Sequence, residues 1–280
     1  FDFWFAAKPR CGILIQFGTP AKMHLFAEAA LLGLASGPAC LAACGPVLVP
    51  ALAAGGADMV ELGVPFSDPL ADGATIQRAS HHALGRGVTV AVCLDVVQRV
   101  RQGGLTIPLL LMGYYNPVLA YGIEAFVRDA VDVGADGLIV VDLPPEEALE
   151  MQSACAGHGL DLIYLLAPTS SDERIARVAR QASGFLYCVS LAGVTGARQD
   201  LSPGLAEFLA RVRRHTSLPL AVGFGISRAE HVQAVARLGA EAAVIGSAII
   251  DLIDRMPAGE RAEKVREYLE ALSGRRRAHD

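Results

Sequence analysis

The chain has 280 residues, of which 52% are hydrophobic and 19% charged, and a formal net charge of −5. That composition is too apolar for a disordered chain and suits a large buried core. The acidic balance, and the confinement of the densest basic run (Arg275, Arg276, Arg277) to a solvated tail, argue against a nucleic-acid partner.

Residues 1–50 form an atypical N-terminal segment. Gly12–Gln16 reads as a first strand, followed by Phe17-Gly18-Thr19-Pro20 and a long Ala/Gly/Pro run. From Ala29 to Gly56 no residue is charged, a length that raises the question of a membrane span. Pro38, Pro46 and Pro50 interrupt it, alanine and glycine outweigh leucine and isoleucine, and no basic flank sets an orientation, so no span is expected. The N-terminus also lacks the basic region and compact apolar run of a secretory signal. Cys11, Cys40, Cys44, Cys93, Cys155 and Cys188 are scattered, without the paired spacing of a zinc site or the density of a disulfide scaffold. Reduced thiols, no bound metal and a cytoplasmic location follow as expectations.

The barrel body is expected over residues 51–272, and from Asp58 onward it repeats one theme, a short apolar run closed by Gly, Pro, Asp or Ser and then a segment of helical periodicity. The runs are Met59–Leu62, Pro108–Met112, Gly137–Val141, Leu160–Leu166, Phe185–Ser190, Leu218–Val222 and Ala242–Ile245. Helical patterns between them include Ile123–Val133, Pro145–Ala156, Asp172–Gln181, Pro203–His215 and Arg228–Leu238. Strands apolar on both faces and separated by helices form a parallel sheet covered by helices. With Gly12–Gln16 they number eight, which predicts an α/β fold of (β/α)8 TIM-barrel type in a single domain, followed by a basic tail at 273–280. The structural rival is a doubly wound open sheet, against which stands the lack of a dinucleotide fingerprint after an early strand.

Chemistry in such a barrel belongs at the C-terminal mouth. Glu61 lies among aliphatic residues in the second strand, where desolvation raises a carboxyl toward the range useful for proton transfer, unless the side chain faces outward or sits in a structural ion pair. A second acid, Asp72, follows on a loop long enough to close over the mouth. Glycines after the last three strands, in Gly193-Val194-Thr195-Gly196, Gly223-Phe224-Gly225-Ile226-Ser227 and Gly246-Ser247-Ala248, let backbone amides approach a ligand. A helix opening at Ser247 adds dipole and free donors, so these loops predict a phosphate site.

The run from Glu61 to Gln77, Glu-Leu-Gly-Val-Pro-Phe-Ser-Asp-Pro-Leu-Ala-Asp-Gly-Ala-Thr-Ile-Gln, resembles the signature of the tryptophan synthase alpha subunit. The likeness continues through Leu111-Met112-Gly113-Tyr114-Tyr115-Asn116-Pro117, Val141-Asp142-Leu143-Pro144-Pro145-Glu146-Glu147 and the three glycine loops, and so spans residues 51–272. The resemblance implies a lyase of tryptophan biosynthesis that cleaves indole-3-glycerol phosphate to indole and glyceraldehyde 3-phosphate. It makes Glu61 the acid/base at the indole ring carbon, Asp72 the stabiliser of charge on the indole nitrogen, and Tyr187 a further active-site residue. Leu111 and Ile139 would line the indole pocket, Gly196, Gly225, Gly246 and Ser247 would hold the phosphate, and Thr195 would belong to a mobile sixth loop. No cofactor is implied in this chain. Pyridoxal phosphate belongs to the beta subunit, the partner in an alpha2beta2 tetramer, contacted through Asp68, Pro69, Asp142 and Pro144.

Residues 1–50 depart from that pattern and read as a divergent insertion or a shifted reading frame. Three other functions compete: a stand-alone indole-glycerol phosphate lyase, a weakly catalytic subunit that activates the beta subunit, and a phosphosugar isomerase or epimerase. The intact Glu61 and Asp72 argue against the second, and the third has no need of the run around them.

Overall fold

The computed structural model describes residues 24–29, 38–190, 204–223 and 225–274, with backbone alone for 24–29 and 38–44. In chain order the first half comprises β1 (His24–Ala29), α1 (Pro38–Ala54), β2 (Met59–Gly63), α2 (Ala74–Gly85), α3 (Val90–Gln102), β3 (Leu109–Gly113), α4 (Tyr115–Tyr121), α5 (Ile123–Asp132) and β4 (Gly137–Val140). The second half comprises α6 (Leu149–His158), β5 (Asp161–Leu166), α7 (Asp172–Gln181), β6 (Leu186–Val189), α8 (Leu205–Arg213), β7 (Leu220–Gly223), α9 (Ala229–Arg237), β8 (Ala242–Ile245), α10 (Ser247–Arg255) and α11 (Arg261–Ser273).

The eight strands close in sequence order into a parallel barrel, sealed where β1 pairs with both β2 and β8 (Phe26 opposite Met59 and Val244). Closure excludes the doubly wound alternative. It also corrects the position of the first strand, which is His24–Ala29; Gly12–Gln16, expected in that role, lies outside the described residues.

Helix ends follow local chemistry. At α7 the Ser171 hydroxyl accepts from the Arg174 amide at 3.3 Å, Asp172 and Glu173 sit in the first turn, and Arg180 in the last, each complementing the helix dipole. Its Ile175 and Val178 face the core. The helix expected at Pro145–Ala156 begins only at Leu149, because Pro144 and Pro145 lead into a turn in which the Glu147 amide bonds the Pro144 carbonyl at 3.0 Å. Helix α1 has no acidic first turn and no basic last turn. Even so it buries Leu48, Val49 and Leu52 and turns Val47 and Pro50 outward, so exposure separates faces that charge does not mark. No described helix is long and apolar enough to cross a membrane.

Strand alternation divides the core into two layers. Val60, Leu62, Leu109, Leu111, Leu138 and Val222 point outward under the helices. Met59, Leu110, Met112, Ile139, Ile163, Phe185, Tyr187, Ala221, Ala242 and Val244 fill the interior of the barrel.

The N-terminal face of the barrel is fastened by charge. Arg101, in the last turn of α3, donates from Nε to the Gly134 carbonyl (2.8 Å) and from Nη1 to the carbonyls of Leu105 and Ile107 (both 2.8 Å), and it pairs with Asp136. Asp136 in turn accepts from the Leu109 amide at 2.8 Å. Four strands on, Arg213 in the last turn of α8 bonds the Leu218 carbonyl (2.9 Å) and Glu241 (2.7 Å), and Glu241 accepts from the Leu220 amide at 2.8 Å. Arg101→Ala strands a carboxylate and three carbonyls, and should destabilise the protein by about 2–3 kcal/mol. Because this face lies opposite the mouth, kcat should stay within about twofold of wild type; urea unfolding beside steady-state rates checks both.

Candidate active site

Strand β2 aims its acid inward. Val60 and Leu62 belong to the outer layer and Met59 to the inner one, so Glu61 shares the inward phase of Met59. Its side chain is fully buried, at 0% exposure. A carboxylate carried to that depth is costly in a purely structural position and useful where a proton must be delivered away from water. Glu61 stands beside Leu110 of β3 in the sheet.

Asp72 stands at the end of the loop after β2. Burial pushes its carboxyl above the usual range, and a hydrogen bond from Tyr114 partly opposes that shift. The Tyr114 hydroxyl donates to Asp72 Oδ2 at 2.9 Å and accepts from the Ala71 amide at 2.9 Å. Burial, followed by the charge of Asp72, drives the phenol itself well above its ordinary value, so it remains a donor. Tyr114, at the carboxyl end of β3, was not among the candidates from sequence; its place one residue past a barrel strand was the signal available. Asp72, Tyr114, Met112, Val141 and Gly63–Pro65 line a cleft at the carboxyl ends of β2, β3 and β4.

Tyr187 and Ile139 both occupy the barrel interior, 1% and 0% exposed. Leu111 does not: it packs in the outer layer, and Leu110 and Met112 on either side carry the inward phase. The pocket-lining position on β3 is therefore Met112, a correction that follows from the period of two along a strand.

On the opposite side of the mouth, Gly225 is exposed with φ +82°, a left-handed conformation suited to glycine. Helix α10 begins at Ser247 with Gly246 as its N-cap and no acidic residue in its first turn; Ser247 is exposed. Thr195 and Gly196 lie outside the described residues. Of the surface positions, Asp68 and Asp142 are exposed, Pro144 half-buried and Pro69 buried. The Asp142 carboxylate accepts from the Tyr115 amide at 2.7 Å, and Leu70 beside Pro69 is 91% exposed. Among the described residues no cluster of three or more His, Cys, Asp or Glu side chains is arranged to hold a metal.

A closed parallel barrel with one carboxylate sealed inside it and another half-buried at its mouth is an enzyme of the acid–base type. The tryptophan synthase alpha chain family model matches residues 41–278, and the chain belongs to that family. The tryptophan synthase alpha chain of Roseiflexus sp. (strain RS-1) is 57% identical over 227 residues, 81% of this chain and 87% of that one. That of Geobacter sulfurreducens is 47% identical over 256 residues, covering 91% and 96%. Among solved structures, a chain of the tryptophan synthase a2b2 complex from Pyrococcus furiosus superimposes with a TM-score of 0.82 at 34% identity, covering 90% of this chain and 99% of that one.

Proposed function

We propose that the chain cleaves indole-3-glycerol phosphate by a retro-aldol reaction, releasing indole and glyceraldehyde 3-phosphate, as the alpha subunit of a tryptophan synthase. Glu61 protonates the indole ring carbon that carries the glycerol chain. The bond to that chain then breaks, its electrons return to the ring, and the adjacent hydroxyl gives its proton back to the Glu61 carboxylate as the aldehyde forms. Asp72 stabilises the positive charge that develops on the indole nitrogen. Ile139 and Met112 line the place of the ring, with Tyr187 beside them. Gly225, Gly246 and Ser247 form the phosphate cradle, to which the family resemblance adds Gly196, and Thr195 belongs to the sixth loop. The reading is carried above all by the fully buried Glu61 facing the barrel interior.

No cofactor is needed in this chain for such a step; pyridoxal phosphate would reside in the beta partner. Asp68, Pro69, Asp142 and Pro144 form the docking surface for that partner in an alpha2beta2 assembly, in the cytoplasm. The exposure of Asp68, Leu70 and Asp142 supports this surface. The test is an assay for indole released from indole-3-glycerol phosphate by the chain alone and with a beta subunit. Release that the beta subunit strengthens is the expected result, and no release under either condition overturns the proposal.

The contact between Tyr114 and Asp72 has a pH signature. Burial is the larger cause of the raised Asp72 carboxyl, and the Tyr114 hydrogen bond favours its ionised form. Tyr114→Phe removes that bond, together with the acceptor of the Ala71 amide, and leaves the burial, so the carboxyl rises further. The acidic limb of kcat/KM should move to higher pH, and kcat at neutral pH should fall about tenfold for one lost charge-assisted bond. A pH–rate profile of the variant against wild type decides it.

A further inference from the structure

The loop between β2 and α2 joins the proposed catalytic Asp72 to the proposed docking residues Asp68 and Pro69, and one face of α2 grips its backbone. Ser80, 4% exposed, accepts the Phe66 amide at 2.9 Å and donates to the Phe66 carbonyl at 3.0 Å through the same hydroxyl oxygen. That satisfies both backbone groups of one loop residue with a single side chain. About one turn before Ser80, Gln77 Nε2 donates to the Asp72 carbonyl at 2.9 Å, and His81, four residues after Gln77, has its Nε2 3.2 Å from the Ser67 carbonyl. From the other side Tyr114 closes the grip, its ring 5.2 Å from that of Phe66 and its hydroxyl on Ala71 and Asp72. Within the loop, the amides of Leu70 and Asp72 bond the carbonyls of Asp68 (2.8 Å) and Pro69 (3.1 Å).

A lid free to swing would leave such backbone groups to water. We infer that Ser80 is a positioning residue: with Gln77 and His81 it holds the Val64–Gly73 loop as a preformed platform, presenting Asp72 to the mouth and Asp68–Leu70 to the partner together. The inference deepens the function proposed above and rests on it. It differs from the expectation of a closing loop in locating the fixed point on α2. Ser80 is the centre of the grip because its side chain is buried and its two bonds part-buried, whereas Gln77 and His81 are exposed and contribute less.

The test is Ser80→Ala in the full chain, read by indole formation from indole-3-glycerol phosphate, by binding to a beta subunit and by amide hydrogen exchange. Loss of the two Ser80 bonds to Phe66 should lower kcat about tenfold with KM within about twofold, weaken beta-subunit binding about tenfold, and speed exchange at residues 66–72 at least about tenfold, with β3 and α3 unchanged. Rates and loop exchange within about twofold of wild type overturn the inference. So does exchange that rises evenly across the barrel, since Ser80 would then serve only overall stability. If the wild-type chain releases no indole with or without a beta subunit, the functional proposal fails, and the exchange arm still decides whether α2 holds the loop. Should Ser80→Ala not fold, the double variant Gln77→Ala/His81→Ala is expected to raise loop exchange about threefold, and unchanged exchange there overturns the inference.

Discussion

Glu61→Gln should abolish indole release, lowering turnover by about 10³-fold or more, because the amide keeps the shape of the side chain but has no acidic proton to give. The effect is expected in kcat, since Glu61 sits inside the barrel while the proposed phosphate cradle at Gly225, Gly246 and Ser247 lies across the mouth. Binding of inorganic phosphate should therefore stay within about twofold, the mark of an interaction made in the transition state and not in the ground state. A variant that retains turnover within about tenfold of wild type would remove Glu61 from the mechanism. A variant that loses phosphate binding as well would point to a disturbed barrel, which circular dichroism and unfolding midpoints would detect.

Gly223→Ala is the second change with a large expected effect, and its cause is contact alone. A Cβ at Gly223 would lie 2.1 Å from the Tyr187 hydroxyl oxygen and 2.6 Å from two of its ring carbons. Tyr187 is 1% exposed within the packed barrel interior, so the ring has no open direction in which to retreat. The substitution should cost about 3 kcal/mol and lower Tm by roughly 6–12 °C. Because the clash falls at the mouth, kcat should fall too, by about tenfold or more. Adding Tyr187→Phe removes the oxygen and leaves the ring-carbon overlap, so the double variant should recover only part of the lost stability. No recovery at all would place the conflict elsewhere than at Tyr187.

Which side chains meet was legible in unequal measure. Glu61 and Asp72 stood out because ionisable groups in or beside an apolar run need a reason, and burial at both confirms how unusual their surroundings are. Tyr114 did not stand out, since a tyrosine after a strand is unremarkable until its hydroxyl is seen between Ala71 and Asp72. Ser80 was invisible for a similar reason: a serine on a helix is ordinary, and its value comes from one loop residue brought against it across the turn of the chain.

From the sequence alone came seven of the strands, most of the helices, and the ring of glycines and acids at the strand ends, because period, turn residues and charge are local properties. Tertiary structure alone decided three matters. It chose His24–Ala29 as the closing strand, since that run wins its place only by pairing with β2 and β8 at once. It chose Met112 over Leu111 as the residue facing inward, since a strand apolar on both faces carries no period from which its faces can be told. And it placed the loop that carries Asp72 against α2, because hydrogen bonds from a helix back to the loop before it exist only once the chain has folded the two together.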